Sequence, residues 1–236
     1  MLEFAGLSFR GLTLADIFGP AEGLAHVVTV NAEYIVLAHQ NARLARIISA
    51  GLATFDGQVP YALARWQNRG SRFDKLPGSE LVYHICTRAQ QLRQRVFLLG
   101  GHADSNRESV QRLQRLYPGL DIAGYSPPHA AYPFPVANEA AIAAQVRAFA
   151  PHYLLVGFGA IKQDYWIDDH RAQLEACGVK LAAGVGGVFE MISGRLKRAP
   201  RIIQRMGLEG VYRLVLEPKA FRLRRLLTSL KFLQFV

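Results

Sequence analysis

Asp56 is the residue whose type and setting point most directly to chemistry. It follows the apolar run Leu52-Ala53-Thr54-Phe55 and precedes Gly57, which puts a carboxylate at an exposed turn of the chain. A carboxylate so placed can take the proton from an attacking hydroxyl, and general-base help of this kind is worth about 10²–10⁴ in rate. An Asp-Gly pair is also an ordinary turn former, so both readings stay open here.

Other apolar runs end in a related way. Thr29-Val30-Asn31 closes one, Gly100-Gly101-His102 another, and Gly157-Phe158-Gly159-Ala160-Ile161-Lys162-Gln163 a third, with Gly184-Val185-Gly186-Gly187 as a further case. Glycine at a strand-to-helix turn lets a ligand approach the backbone, and the N–H groups of the following helix start suit a diphosphate. Lys162 and Gln163 are candidates to contact phosphate or sugar hydroxyls; their alternative role is to cap a helix on its solvated side. Gly157-x-Gly159 does not complete the dinucleotide fingerprint, because its sixth position is Lys162.

These turns need elements to hold them. Short runs rich in Val, Leu and Ile alternate with longer amphipathic segments, the pattern of an α/β protein with a parallel sheet covered by helices on both faces. Strands are expected near 26–30, 52–55, 95–99, 120–124, 153–157 and 180–185, and helices near 32–50, 79–93, 104–117, 136–149, 163–176 and 188–194. In such a sheet ligands bind outside the carboxyl ends of the strands, where the polar and glycine turns fall. Pro127, Pro128, Pro133 and Pro135 make Tyr125 to Pro135 a loop, read either as a surface connection or as a flap over that edge.

The net charge of +10 is unevenly spread. From Arg195 onward eleven basic residues face two acidic ones, a net +9, whereas residues 1–194 hold 17 basic and 16 acidic residues. The chain is thus expected to divide into a near-neutral body, 1–194, and a basic appendage, 195–236. After Pro218, Leu223, Leu226, Leu227, Leu230 and Leu233 fall on one helical stripe with Lys219, Arg222 and Arg225 beside it, the layout of a helix lying on an anionic membrane surface. Its other reading is a helix docked on its own domain or on a second subunit of a homo-oligomer. No apolar run reaches 18 residues, and Met1 to Arg10 lacks the features of a secretory signal, so a cytoplasmic protein peripheral on the inner face of the plasma membrane is expected. Cys86 and Cys177 sit in apolar stretches and are expected to be buried thiols.

Several segments together resemble one family. TVNAE (29–33), FDG (55–57), PGSEL (77–81), VFLLGG (96–101), GFGAIKQDYWI (157–167), GVGGVFEMISGRLKRAP (184–200) and GLEGVYRLVLEP (207–218) follow the order and spacing of the WecG/TagA/CpsF glycosyltransferases, glycosyltransferase family 26. The resemblance implies a Rossmann-like body with a basic helical C-terminal appendage. It implies an inverting enzyme that takes a sugar from a UDP-sugar donor to an undecaprenyl-diphosphate-linked sugar, a polyprenyl-linked acceptor, in surface or exopolysaccharide synthesis. Carried over, the base falls on Asp56 and supporting polar groups on Thr29 and Asn31. Gly100, Gly101, Gly157, Gly159, Lys162, Gln163 and Gly186, from the strand-end turns above, are the candidate substrate-binding residues, and the resemblance implies that the acceptor diphosphate is met within Arg213 to Arg225, with Arg213, Arg222 and Arg225 as candidates. The family's PKQE turn reads Ile161-Lys162-Gln163-Asp164 here, and Glu80 and Glu190 stand where Asp is expected. These departures leave the donor open between an N-acetylmannosamine type and glucose.

Two other classes compete. A nucleotide- or nucleic-acid-binding module without catalysis would explain the glycine turns and the charge, but the near-neutral body and the leucine stripe argue against nucleic acid. A nicotinamide-dependent oxidoreductase shares the fold class and lacks the full glycine fingerprint. No cofactor is implied. The sequence contains no Asp-x-Asp triplet to grip a divalent metal against a diphosphate, so leaving-group charge is expected to be met by backbone N–H groups and basic side chains. Turnover is expected to survive removal of divalent ions by a chelator; its abolition would overturn that expectation.

Overall fold

The computed structural model describes residues 1–196, 199–200, 202–203, 206–216, 218 and 220–236, and the side chains of Arg213, Phe221 and Arg225 lie outside the described set. Contacts divide the chain into two compact units. One comprises Met1–Gly19, Val28–Pro77 and Arg198–Val236; the other comprises Pro20–Val27 and Gly78–Lys197.

The first unit opens with a hairpin of β1 (Leu2–Phe4) and β2 (Leu7–Phe9), then α1 (Leu14–Ile17). The strand β3 (Ala25–Val30) leads to α2 (Ala32–Gln40), α3 (Ala42–Ala50), β4 (Leu52–Phe55) and α4 (Gln58–Gln67). The second unit holds α5 (Gly78–Leu92), β5 (Val96–Gly100), α6 (Ala103–Leu116), β6 (Ile122–Tyr125), α7 (Val136–Phe149), β7 (Tyr153–Gly157), α8 (Lys162–Asp169), α9 (Arg171–Ala176), β8 (Leu181–Gly184) and α10 (Val188–Ile192). The tail contributes α11 (Glu209–Leu216), α12 (Ala220–Leu230) and a closing 3₁₀ turn, Lys231–Phe235.

Six strands form a parallel sheet of order β4-β3-β8-β7-β5-β6, the expected Rossmann-like architecture. Its central strands are almost wholly apolar because both faces are covered: every residue of β5 and the first four of β7 are buried. The predicted strands all form within two residues of their expected ends.

Two predicted helices divide. The segment 32–50 breaks at Asn41, whose backbone is extended and whose Oδ1 accepts from the Leu44 N–H at 3.1 Å, so one residue ends α2 and caps α3. The segment 163–176 breaks at His170. The first hairpin, α1, α4 and α11 were not among the expected elements. The first hairpin turns through Ala5 and Gly6, both at positive φ, and alanine is a poor marker of such a turn. Helix α4 hides behind the Asp56-Gly57 turn signal and Pro60, which is tolerated because it lies in the first helical turn.

The proline-rich loop is packed down within its own unit. Phe134 meets Phe158 edge-on at 4.8 Å, Phe158 meets Trp166 at 5.7 Å, and the Ser126 hydroxyl donates to the Gly101 carbonyl. Cys86 is buried, and burial pushes its thiol pKa up to about 12. Cys177, expected to be buried, is only partly so, because it ends α9 at the rim of the helix layer.

Both chain ends of the first unit converge on β4. Phe9 stacks on Phe55 at 4.2 Å, Phe4 meets Phe55 at 5.8 Å, and Phe232 from the closing turn, 1% exposed, meets Phe4 at 6.1 Å. Outside this cluster His39 stacks on Phe235 at 3.8 Å. The tail end is therefore part of a hydrophobic core. Phe232→Ala is expected to destabilise the protein by roughly 3–5 kcal/mol in urea unfolding, the usual cost of emptying a buried Phe site, and trimming the chain after Pro218 is expected to lower stability as well.

Candidate active site

Asp56 stands immediately beyond β4, half-buried, with its N–H donating to the Val30 carbonyl at 2.9 Å. Phe55 is fixed on one side by the aromatic cluster and on the other by the segment that follows α4. The Leu76 N–H donates to the Phe55 carbonyl at 3.0 Å, and the Thr54 hydroxyl donates to the Leu76 carbonyl at 2.9 Å. The carboxylate is thus held at a strand end that cannot slide. Asn31, at the end of β3, caps α2 by accepting from the Tyr34 N–H at 3.1 Å, and a Cβ on Gly57 would stand 3.6 Å from the Asn31 Cβ. Asn31 and the Asp56-Gly57 turn are therefore neighbours, and Thr29 is buried one residue inside β3.

Sequence reasoning left one cation beside this turn unmarked. Lys75 bridges to Phe55, and its Nζ donates to Gln58 Oε1 at 3.0 Å, across the first residue of α4. Nothing in the apolar pattern singles it out, because the segment 73–76 is irregular in sequence.

The second unit carries the glycine turns. Strand register sets Gly100 opposite Gly157 and Val156 opposite Gly184, so the ends of β5, β7 and β8 form one row. The Gly101 N–H donates to the Gly157 carbonyl at 3.0 Å, which locks the first two turns together. Gly159 (φ +89°) and Gly186 (φ +56°) take backbone conformations open to few other residues, and neither would place a Cβ within 4 Å of any neighbour. The side of each residue on which a Cβ would stand is thus open space. Helices α6, α8 and α10 each begin just after such a turn without a side-chain cap, so their amino-terminal dipole ends face the row of turns.

Ile161 occupies φ +69°, ψ −52°, a region that a β-branched residue enters only under constraint. Strain of this kind amounts to roughly 1–3 kcal/mol and gathers at functional turns. Lys162 follows it, half-buried, as the first residue of α8. Gln163, 3% exposed, points inward: its Oε1 accepts from the Gly186 N–H at 2.9 Å. Gln163 therefore fixes one glycine turn against the other. Asp164 lies beneath it, fully buried, with Oδ1 3.4 Å from His26 Nε2. Asn106 plays a similar bracing part at the next turn, its Nδ2 donating to the Leu98 and Gly100 carbonyls at 3.0 and 2.8 Å.

Glu190 is the acidic residue of this edge. Its Oε1 accepts from the His102 N–H at 3.4 Å, and its Oε2 is buried without a partner among the described residues. A Cβ at Gly101 would stand 3.5 Å from Oε1 and one at Gly187 3.4 Å from Oε2. Such a carboxylate at glycine turns is suited to accept hydrogen bonds from ligand hydroxyls, as carboxylates do toward ribose in dinucleotide sites. The sequence flagged position 190 only as a departure from a family pattern.

Of the tail arginines, Arg222 lies on α12, half-buried, while the side chains of Arg213 and Arg225 lie outside the described residues. Helix α12 packs on α2, yet Leu223, Leu227, Leu230 and Leu233 remain exposed. Among the described residues no helix is long and apolar enough to cross a membrane.

Comparison with known proteins adds a family. The chain matches the Glycosyl transferase WecG/TagA/CpsF family over residues 3–236. An N-acetylglucosaminyldiphosphoundecaprenol N-acetyl-beta-D-mannosaminyltransferase of Bacillus spizizenii is 30% identical over 213 residues, covering 90% of this chain and 78% of the relative. A protein of the same name from Staphylococcus aureus is 31% identical over 195 residues, covering 82% of this chain and 72% of that relative.

The Gln163–Gly186 contact makes a local prediction. Gln163→Met keeps the volume but removes the acceptor, and is expected to destabilise the protein by about 0.5–1.5 kcal/mol, the net worth of a hydrogen bond whose part-buried donor can turn to water. Faster amide exchange at Gly186 should accompany it; unchanged exchange there would show that the turn is held by other means.

Proposed function

The chain belongs to the WecG/TagA/CpsF family of glycosyl transferases, and from that membership we propose that it moves a sugar, with inversion, from a UDP-sugar to an undecaprenyl-diphosphate-linked sugar. The setting is the inner face of the plasma membrane, during bacterial surface or exopolysaccharide synthesis. The observation that carries this reading is the half-buried carboxylate of Asp56 at the carboxyl end of β4, beside Asn31.

Asp56 takes the proton from the acceptor hydroxyl as that oxygen attacks the anomeric carbon of the donor sugar. The bond from the anomeric carbon to the diphosphate oxygen breaks, and UDP leaves carrying the electron pair. The charge that develops on UDP is met by the uncapped starts of α6, α8 and α10 and by Lys162, dipoles and a cation already in place before the reaction. Glu190 Oε2 accepts from ribose hydroxyls. Thr29 and Asn31 support the carboxylate, and Gln163 acts by holding Gly186.

Residues 195–236 serve the acceptor. Arg222, with Arg213 and Arg225, neutralises its diphosphate, a task suited to the bidentate guanidinium. The outward leucines of α12 and the net positive charge of this region attach it to an anionic leaflet. The acceptor follows the printed names of the relatives, a diphosphoundecaprenol-linked N-acetylglucosamine. For the donor, those names point to N-acetylmannosamine, while Ile161, Asp164, Glu80 and Glu190 depart from the family pattern and keep glucose in contention.

Turnover of a panel of UDP-sugars with a short-chain polyprenyl-diphosphate sugar, read by mass spectrometry, identifies the donor. With that donor, Asp56→Asn is expected to keep its circular-dichroism spectrum and lose about 10²–10⁴ in kcat. Normal turnover by this variant would remove Asp56 from the chemistry.

A further inference from the structure

Helix α4 carries two large apolar side chains, Val59 and Trp66, on its solvent side. Pro60 and Ala64 are the residues it buries and Tyr61 and Leu63 are half-buried, while Val59 and Trp66, about 20° apart around the helix axis, are exposed. Val59 is 41% exposed and Trp66 63% exposed, so a large aromatic ring and a branched aliphatic chain face water where polar groups are the rule.

The patch continues beyond the helix. A Cβ at Gly207 would stand 2.8 Å from Val59 Cγ2, so the turn carrying exposed Met206 and Leu208 lies directly against the start of the helix. Its surroundings are cationic. From Gly57 to Arg72 the sequence has three arginines, Arg65, Arg69 and Arg72, and no acidic residue. All three are exposed.

We infer that the outer face of α4, through Val59 and Trp66, is a docking surface for an anionic lipid bilayer, in addition to the leucine stripe of α12. The inference rests on the membrane-surface reading above and adds a second point of attachment to it. Exposed apolar side chains in a segment whose charged residues, from Gly57 to Arg72, are all basic fit the boundary between headgroups and acyl chains, and tryptophan favours that depth. Charge argues against a second copy of this chain as the occupant, because a twofold contact would set these arginines against their own counterparts. The functional consequence follows from the chain path. Helix α4 begins two residues after Asp56 and is ten residues, about 15 Å, long. A bilayer gripping its outer face holds the carboxylate at the level where a lipid-linked diphosphate emerges.

The chain carries its own probe. It has two tryptophans, Trp66 on this face and Trp166, which is 2% exposed. The full-length protein is mixed with phosphatidylglycerol/phosphatidylcholine vesicles whose acyl chains are brominated. A blue shift and quenching of emission are expected, and both should vanish in Trp66→Phe while that variant still sediments with the vesicles. The double variant Val59→Ser/Trp66→Ser should lower vesicle partitioning roughly tenfold or more, as loss of buried apolar area requires, and leave turnover of a water-soluble short-prenyl acceptor unchanged. Three results would overturn the inference: sedimentation with the emission of Trp66 unaltered, a blue shift that grows with protein concentration without lipid, or no partitioning at all. Turnover of the soluble acceptor reports separately on the transfer reaction, so failure of this surface and failure of the proposed chemistry are told apart.

Discussion

The position of one carboxylate depends on the burial of the ring next to it. Phe55 is the last residue of β4, fully buried, stacked on Phe9 and bordered by Phe4 and Phe73. Because successive residues of a strand alternate in direction, fixing Phe55 inward fixes where the chain emerges, and Asp56 is the first residue outside. Burial of aromatic side chains supplies a large share of core stability, so the strand end inherits the rigidity of the core. Asp56 does not need a loop to be ordered around it.

That cluster also explains why the two chain ends belong together. The hairpin β1-β2 delivers Phe4 and Phe9, and the closing 3₁₀ turn delivers Phe232. The basic tail is thereby anchored at its far end, while the outer leucines of α12 stay unburied.

In the other unit the governing constraint is close approach of backbones at the ends of three adjacent strands. Gly157 admits Phe189, whose ring would lie 2.7 Å from any Cβ there, and Gly184 admits the Gln163 carboxamide at 2.5 Å. These glycines create room for packing side chains, whereas Gly159 and Gly186 border open space. One residue type thus serves two purposes within a single row, and only the surroundings tell them apart. The strained Ile161 lies between them, held in place by structure that over-determines it.

The sequence by itself determined the parallel sheet, its strand ends and the candidate carboxylate, because buried parallel strands are read from continuous apolar runs and their carboxyl ends from the polar or glycine residue that follows. It also determined the contrast between a neutral body and a cationic tail, since charge is a property of composition. Tertiary structure alone decided the rest. Gln163 turned inward to Gly186, and Glu190 came to the glycine turns with one carboxylate oxygen buried, because both depend on which strands are neighbours and not on local pattern. The hairpin turn at Ala5-Gly6 and helix α4 lacked the residues that usually announce them, and the partnership of Phe232 with Phe4 joins positions at opposite ends of the chain. Long-range contacts of that kind leave no periodic trace in a sequence, for they are selected by shape and burial after the elements have formed.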